Sequence, residues 1–190
     1  MGQPVVTVHD FKRSLAASHS HADAPWWDPV YREAFPALVH HYSVRDDGWA
    51  QRGGIDRLIV LRDGTTLKVD EKVRGKDWPD ICIEIWSDEE RKIPGWAHPS
   101  KDLTCDYIAY ALVPSQTCYL IPYQVLRRVM QRHGIQWWRL AKAEEQGFQF
   151  VCSPNRDGAR WWTTKNIAVP VEIVLDALRD CLIVRWPVMP

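Results

Sequence analysis

Asp56, Asp70 and Lys72 are the residues of this chain whose types and spacing best suit chemistry. Side chains alternate between the two faces of a β-strand, so Lys68, Asp70 and Lys72 would share one face of a strand over residues 65–74. A carboxylate beside an ammonium group can serve a divalent cation and a phosphoryl oxygen at once. The pattern therefore points to metal-assisted hydrolysis of a phosphate ester.

A predicted hairpin brings the two aspartates together. The sequence Asp63-Gly64 separates the apolar runs 55–61 and 65–74, and this dipeptide between two strands is a strong turn signal. Antiparallel pairing would place Asp56 near Asp70, where two carboxylates repel each other unless a cation lies between them. Oxygen ligands of this kind suit Mg²⁺ or Mn²⁺. The same residues would also suit a solvent-exposed hairpin that carries a ladder of charges.

Other elements must support this hairpin. Asp28-Pro29 is typical of a helix start, and apolar spacing predicts a first core helix over 28–42, interrupted by Pro36. The apolar run 81–86 predicts a third strand buried on both faces. A carboxylate in its middle, Glu84, then needs a cation or a basic partner, which makes it a candidate ligand and catalytic group or one half of a salt bridge.

The following elements supply candidate phosphate contacts. Apolar residues at helical spacing predict a helix over 101–112, with Lys101 at its N-terminal end. A strand over 117–121, an amphipathic helix over 123–133, a helix over 171–179 and a strand over 182–184 complete the prediction. Five basic residues are candidates for contacts with a nucleic-acid backbone: Arg127, Arg128, Arg132, Arg139 and Lys142. Such charges also suit a solvated helix face.

Length and composition limit the classes of protein. The 190 residues suit one domain over 28–190, with a core over about 28–133, a C-terminal elaboration over 134–190 and a flexible lead-in over 1–27 that holds a short helix over 9–17. The 24 basic and 24 acidic residues cancel, so any nucleic-acid binding must come from a local patch. Five cysteines without a C-x-x-C pair argue against a zinc site. No apolar segment is long enough to cross a membrane, and we expect a cytoplasmic protein.

The order of elements resembles the core of the PD-(D/E)xK nuclease superfamily, and within it phage- or prophage-type proteins. That core is a helix, a three-stranded meander with an acid in its first strand and D-x-K in its second, then a helix and a strand. The resemblance covers roughly residues 28–133. It rests on Gly54-Ile55-Asp56-Arg57, Lys68-Val69-Asp70-Glu71-Lys72-Val73-Arg74, Asp80-Ile81-Cys82-Ile83-Glu84, Pro94-Gly95-Trp96 and Cys105-Asp106-Tyr107-Ile108-Ala109-Tyr110.

The resemblance implies a restriction-endonuclease-like α/β fold with a mixed sheet and a metal-dependent endo- or exonuclease, with DNA favoured over RNA as the substrate. Asp56 and Asp70 would hold Mg²⁺ or Mn²⁺, and the carbonyl of Glu71 would complete the metal shell. Lys72 would orient or deprotonate the attacking water, and Lys101 would be the basic group supplied by the next helix. In an alternative register Glu71 itself would face the site. Because many nucleases of this superfamily are dimers, a homodimer is also expected.

Two other functions stay open at this stage. The first is a module that keeps this fold and binds nucleic acid or protein without cutting, although the presence of Asp56, Asp70 and Lys72 together opposes that interpretation. An inhibitor or assembly factor is the other alternative. Eleven tryptophans would serve its interface, since Trp and Arg are frequent interface anchors. Tryptophans could also stack on bases or simply pack in the core.

Overall fold

The computed structural model describes residues 9–10, 21 and 23–187, which form a mixed α/β structure as predicted. The strands of this part are β1 (His9–Asp10), β2 (Leu38–Ser43), β3 (Arg57–Leu61), β4 (Thr66–Arg74), β5 (Asp80–Asp88), β6 (Ile93–Pro94), β7 (Tyr107–Leu112), β8 (Thr117–Pro122), β9 (Gln149–Asp157), β10 (Arg160–Pro170) and β11 (Leu182–Arg185). The helices are α1 (Trp27–Ala34), α2 (Gly48–Arg52), α3 (Tyr123–Ala143) and α4 (Val171–Leu178).

A six-stranded sheet contains the predicted hairpin. Its strand order is β11-β8-β7-β4-β3-β2, and β3 and β4 pair antiparallel with Arg57 opposite Val69. On its other side β4 pairs in parallel with β7, where Asp70 lies opposite Ile108. Strand β3 begins at Arg57, opposite Val69, and β4 continues beyond Val69 without pairing to β3. This end of the hairpin is therefore open to other groups. The two aspartates lie at that end.

The strand that carries Glu84 belongs to a second sheet. Here the order is β1-β9-β10-β5-β6, and Glu84 lies opposite Asn166 of β10. The predicted meander of β3, β4 and β5 is therefore wrong, and the antiparallel meander of this protein is β2-β3-β4. The burial expected for β5 is present, with Ile81 and Ile83 almost fully enclosed.

One predicted helix is wrong in part and another is wrong. The helix over 28–42 ends at Ala34, and the chain after Pro36 forms strand β2, because proline cannot continue the hydrogen bonding of a helix. The helix over 101–112 is absent, and Tyr107–Leu112 is strand β7. A run of apolar residues fits helical spacing as well as a strand buried on both faces, so spacing alone could not separate the two. The core order inferred from the resemblance is thus not confirmed.

At the N-terminus, His9 and Asp10 pair in parallel with β9, where the sequence predicts a helix over 9–17. Residues 11–17, like most of the predicted lead-in, lie outside the described residues.

The six-stranded sheet separates two apolar clusters. One lies between this sheet and α1, and it includes Trp27, Tyr31 and Val69. The larger cluster lies between the sheets and the helices α3 and α4. Helix α3 runs ten residues beyond the predicted end at residue 133. In the described part of the chain, no helix is long and apolar enough to cross a membrane.

Most of the tryptophans are at least half-buried. Five of the eleven are buried and three are exposed, and the rest are half-buried. The exposed ones are Trp49, Trp78 and Trp161. They belong to separate parts of the chain, so they do not by themselves define an interface.

Candidate functional site

A cavity of about 350 Å³ lies where the two sheets face each other. Lys72 of β4 and Glu84 of β5 line it from opposite sides. Asp56, which directly precedes β3, also lines it. Trp96 and Asn166 complete the wall nearest Glu84. Strand alternation places Asp70 on the same face as Lys72, as expected.

Asp70 and Lys72 are joined directly. The Lys72 Nζ donates to Asp70 Oδ1 over 2.5 Å, with the Asp70 side chain 5% exposed and that of Lys72 30% exposed. Burial lowers the pKa of Lys72, but the negative charges of Asp70 and Asp56 raise it by more. The pKa of Lys72 therefore lies above its ordinary value. Lys72 is therefore an ammonium donor at neutral pH, held at the cavity wall.

Asp56 is held beside the part of β4 that β3 does not pair with. Its Oδ2 accepts the backbone N–H of Glu71 at 2.7 Å and lies 3.5 Å from Nη2 of Arg45. Burial raises the pKa of Asp70 to about 7, the charge of Asp56 and a hydrogen bond to it add to the rise, and Lys72 opposes it. The negative charge of Asp56 thus acts on the carboxyl group of Asp70.

Glu84 lies across the cavity from this pair, and the charge of Lys101 acts on its carboxylate. Burial raises the pKa of Glu84, while the charge of Lys72, the N–H of Trp96 and the charge of Lys101 hold it down. Gly95 makes room for this carboxylate, because a Cβ there would lie 2.6 Å from both Cγ and the carbonyl oxygen of Glu84. Lys101 comes from irregular chain before β7 and not from a helix end.

Glu71 lies on the opposite face of β4 from its two neighbours. Its carboxylate is fully buried and accepts hydrogen bonds from the Tyr31 hydroxyl at 2.8 Å, Arg57 Nε at 2.5 Å and Arg45 Nη2 at 2.9 Å. Glu71 contributes to the cavity wall, but its side chain is enclosed in this network and is not exposed. The N–H and C=O of one strand residue point to the same side, so the carbonyl of Glu71 points toward Asp56, where its N–H donates.

Sequence reasoning missed Arg45 as part of the site. Its guanidinium joins the buried carboxylate of Glu71 to Asp56, and it lines the cavity. Arg45 is separated from Glu71 by 26 residues and sits in a loop without a motif. No local signal in the sequence identifies it, because the contact depends on how β2, β3 and β4 pair.

The oxygens at the end of the hairpin fit a magnesium-type ion. Mg²⁺ in proteins commonly takes one or two carboxylates and completes its octahedron with water and substrate phosphate. Asp56, Asp70 and the Glu71 carbonyl offer such a set, and a cation would relieve the repulsion between the two carboxyl groups that raises the pKa of Asp70. Over residues 23–187, no three His, Cys, Asp or Glu side chains form a metal-holding group. The residues fit an ion that keeps much of its water and not an all-protein cage.

The predicted basic residues all lie on one side of α3. At 100° per residue their positions fall within about 140° of the helix circumference. We call this set the basic face of α3: Arg127, Arg128, Arg132, Arg139 and Lys142. All are exposed except Arg127, whose Nη1 donates to Asp102 at 3.0 Å, next to Lys101. Helix α3 contains no Asp or Glu, so this face is a local positive patch on a chain of zero net charge.

Comparisons of the chain with protein-family models, with curated proteins and with solved structures found no match. The geometry of the cavity and of the basic face is therefore what supports a function.

Proposed function

We propose that this protein is a metal-dependent phosphodiester hydrolase that cuts nucleic acid, with DNA expected from the resemblance. The observation that carries the proposal is the meeting of Asp56, Asp70 and Lys72 at the open end of the β3–β4 hairpin, beside a cavity that Glu84 lines from the other sheet. A surface charge ladder would leave these groups solvated. Here Asp70 is buried and paired with Lys72. Burial of charged groups costs free energy, and such groups cluster at functional sites.

Each residue has a role in such a reaction. A bound Mg²⁺ or Mn²⁺ would polarise a phosphoryl oxygen and activate a water molecule. Asp56, Asp70 and the Glu71 carbonyl would hold the ion. Lys72, fixed by Asp70, would orient the attacking water and stabilise negative charge on the phosphoryl group. Glu84 lines the opposite wall and would serve as a further metal ligand or as a general acid, a role that a raised pKa favours.

The basic face of α3 would bind the sugar-phosphate backbone. Its first member, Arg127, donates a hydrogen bond to Asp102, the residue after Lys101. This contact links the basic face to the chain near Glu84. Phosphate contacts of this kind position a substrate without reading its sequence. The expected homodimer stays a prediction, and sedimentation of the purified chain would test it.

The test is cleavage of supercoiled, linear and single-stranded DNA, and of RNA, in Mg²⁺ or Mn²⁺. Asp70→Asn and Lys72→Ala should each abolish cutting while leaving the chain folded. The matched controls are Asp63→Asn and Lys76→Ala, which change the same residue types at exposed positions outside the cavity. Cutting that survives both site changes, or that EDTA leaves intact, would refute the proposal.

A non-catalytic nucleic-acid-binding module is the second candidate. It is favoured by one observation: in the described chain, side chains alone do not form a three-ligand metal group. Such a module would bind DNA through the basic face of α3, would not bind Mn²⁺ in calorimetry, and would bind equally well after Asp70→Asn.

A further inference from the structure

A second, apolar groove of about 610 Å³ lies between β5, residues 98–99 and helix α3. Ile85, Met130 and Ile167 form its floor, and Trp86 and Trp138 form its walls. We call it the tryptophan groove. Its size and its mainly apolar lining with a few polar groups at the rim are typical of ligand sites.

The walls of the tryptophan groove are held in place by other rings. The indole of Trp86 packs on His98 with ring centroids 4.5 Å apart, and Trp138 meets Phe150 edge-on at 4.7 Å. Ile135 lies at the rim, on the same side of α3 as the charged residues, and is 70% exposed. The groove therefore offers rigid aromatic and apolar surface that solvent can reach.

Positive charge surrounds this apolar surface. Arg139, a member of the basic face of α3, lines the rim, and Lys92 lies with its Nζ 5.4 Å from the centre of the Trp86 ring. Glu89 is the acidic residue of the lining, and Lys165 neutralises it through a 2.7 Å ion pair. A ligand that is both aromatic and anionic complements such a site. Single-stranded nucleic acid has this combination, because its bases are unpaired and its backbone is charged.

The tryptophan groove adjoins the catalytic cavity. Strand β5 contributes Glu84 to the cavity and the next two residues to the groove. The following chain does the same, since Trp96 lines the cavity while His98 and Pro99 line the groove. A strand whose phosphate lay in the cavity would therefore have its neighbouring bases beside the groove.

We propose that the tryptophan groove binds unpaired bases of the substrate, so that the enzyme acts on nucleic acid with a single-stranded segment next to the cleaved bond. This rests on the proposed function, which it makes more specific. Bases in a duplex are stacked inside the helix and cannot enter the groove, whereas the basic face of α3 would contact the backbone of either form.

The test measures binding in EDTA, so that cutting does not interfere. Fluorescence anisotropy compares a short DNA single strand, the matching blunt duplex and an abasic strand of equal length. The intact strand should bind the wild-type chain at least about 5-fold more tightly than the abasic strand, the equivalent of one stacking contact. Trp138→Leu and Ile135→Ser should reduce this difference, and the matched control Trp161→Leu, an exposed tryptophan on the β9–β10 hairpin, should keep it.

Photo-cross-linking of the unaltered chain makes the test independent of variant folding. Single strands containing 5-iodouracil should cross-link to Trp86, His98 or Trp138, located by mass spectrometry. Equal binding of intact and abasic strands, or cross-links confined to other surfaces, would overturn the groove proposal even if the chain cuts DNA. Base cross-links in the groove of a chain that never cuts would support the groove and refute the hydrolase instead.

Discussion

Replacement of Glu71 gives a quantitative test of the buried network behind the cavity. Both oxygens of this carboxylate are enclosed, and they accept hydrogen bonds from Tyr31, Arg57 and Arg45 at 2.5–2.9 Å. Glu71→Gln keeps the size of the side chain but removes the charge that offsets two guanidinium groups. Loss of one partner of a buried ion pair costs about 3–5 kcal/mol. For a chain of this length, that corresponds to a fall in Tm of roughly 6–20 °C.

Glu84→Gln is the matched control, because Glu84 is also a largely buried glutamate. Burial raises its pKa, so in the folded state the ionised form is the costly one. A neutral glutamine should leave the free energy of unfolding at neutral pH unchanged or raise it. Urea unfolding of both variants and the wild type, with m-values compared, measures the difference. A loss below about 1 kcal/mol for Glu71→Gln, or an equal loss for both variants, would refute the reasoning.

Three further changes have defined outcomes. Because burial above all raises the pKa of Asp70 from 3.8 to about 7, the folded state binds a proton that the unfolded state has lost. Stability should therefore fall as pH rises through that window, and Asp70→Asn should flatten the fall in urea titrations. Gly95→Ala should cost about 1–3 kcal/mol in thermal unfolding, because its Cβ would overlap Glu84. Gly75→Ala, with no atom within 4 Å of its Cβ, should cost almost nothing. Each Arg→Gln change on the basic face of α3 should lower the slope of log Kobs against log salt by about 0.7–0.9 for DNA. The first two to replace are the exposed Arg128 and Arg132.

Each of these expectations has a contrary result. A stability profile that wild type and Asp70→Asn share would show that Asp70 does not titrate between these limits. Equal melting of the two glycine variants would show that Gly95 is not in close contact with Glu84. A slope of log Kobs against log salt that neither arginine replacement changes would show that the DNA backbone does not contact α3.

Local rules account for the parts of the fold that the sequence predicts. The β3–β4 hairpin follows from two apolar runs around Asp63-Gly64, and it brings Asp56 to the middle of β4, where the pairing with β3 stops and Asp70 lies. Strand alternation alone places Lys72 beside Asp70. Helix α1 stops before Pro36 for the same kind of local reason. These features need only neighbours in the chain, so they can be predicted without the rest of the molecule.

Regions buried on both faces escape local rules. In β7, Ile108 and Tyr110 belong to one apolar cluster while Ala109 and Ala111 belong to the other, so every residue is apolar and no alternation remains. A helix satisfies that pattern equally well. The same lack of alternation hides which strand pairs with β5, and the sequence wrongly suggests β4 instead of β10.

Short-range patterns in the sequence suffice for the hairpin, for the shared face of Asp70 and Lys72, and for the part of the basic face of α3 that carries Arg127, Arg128 and Arg132, since each depends on a turn signal or on a repeat of two or of 3.6 residues. The packing of the two sheets is needed to show that Glu84 faces this pair from a second sheet and that the Glu71 side chain points to the other face and binds two buried arginines. Those contacts join residues far apart in the chain. They are selected by the packing free energy of both sheets together, which no short segment contains.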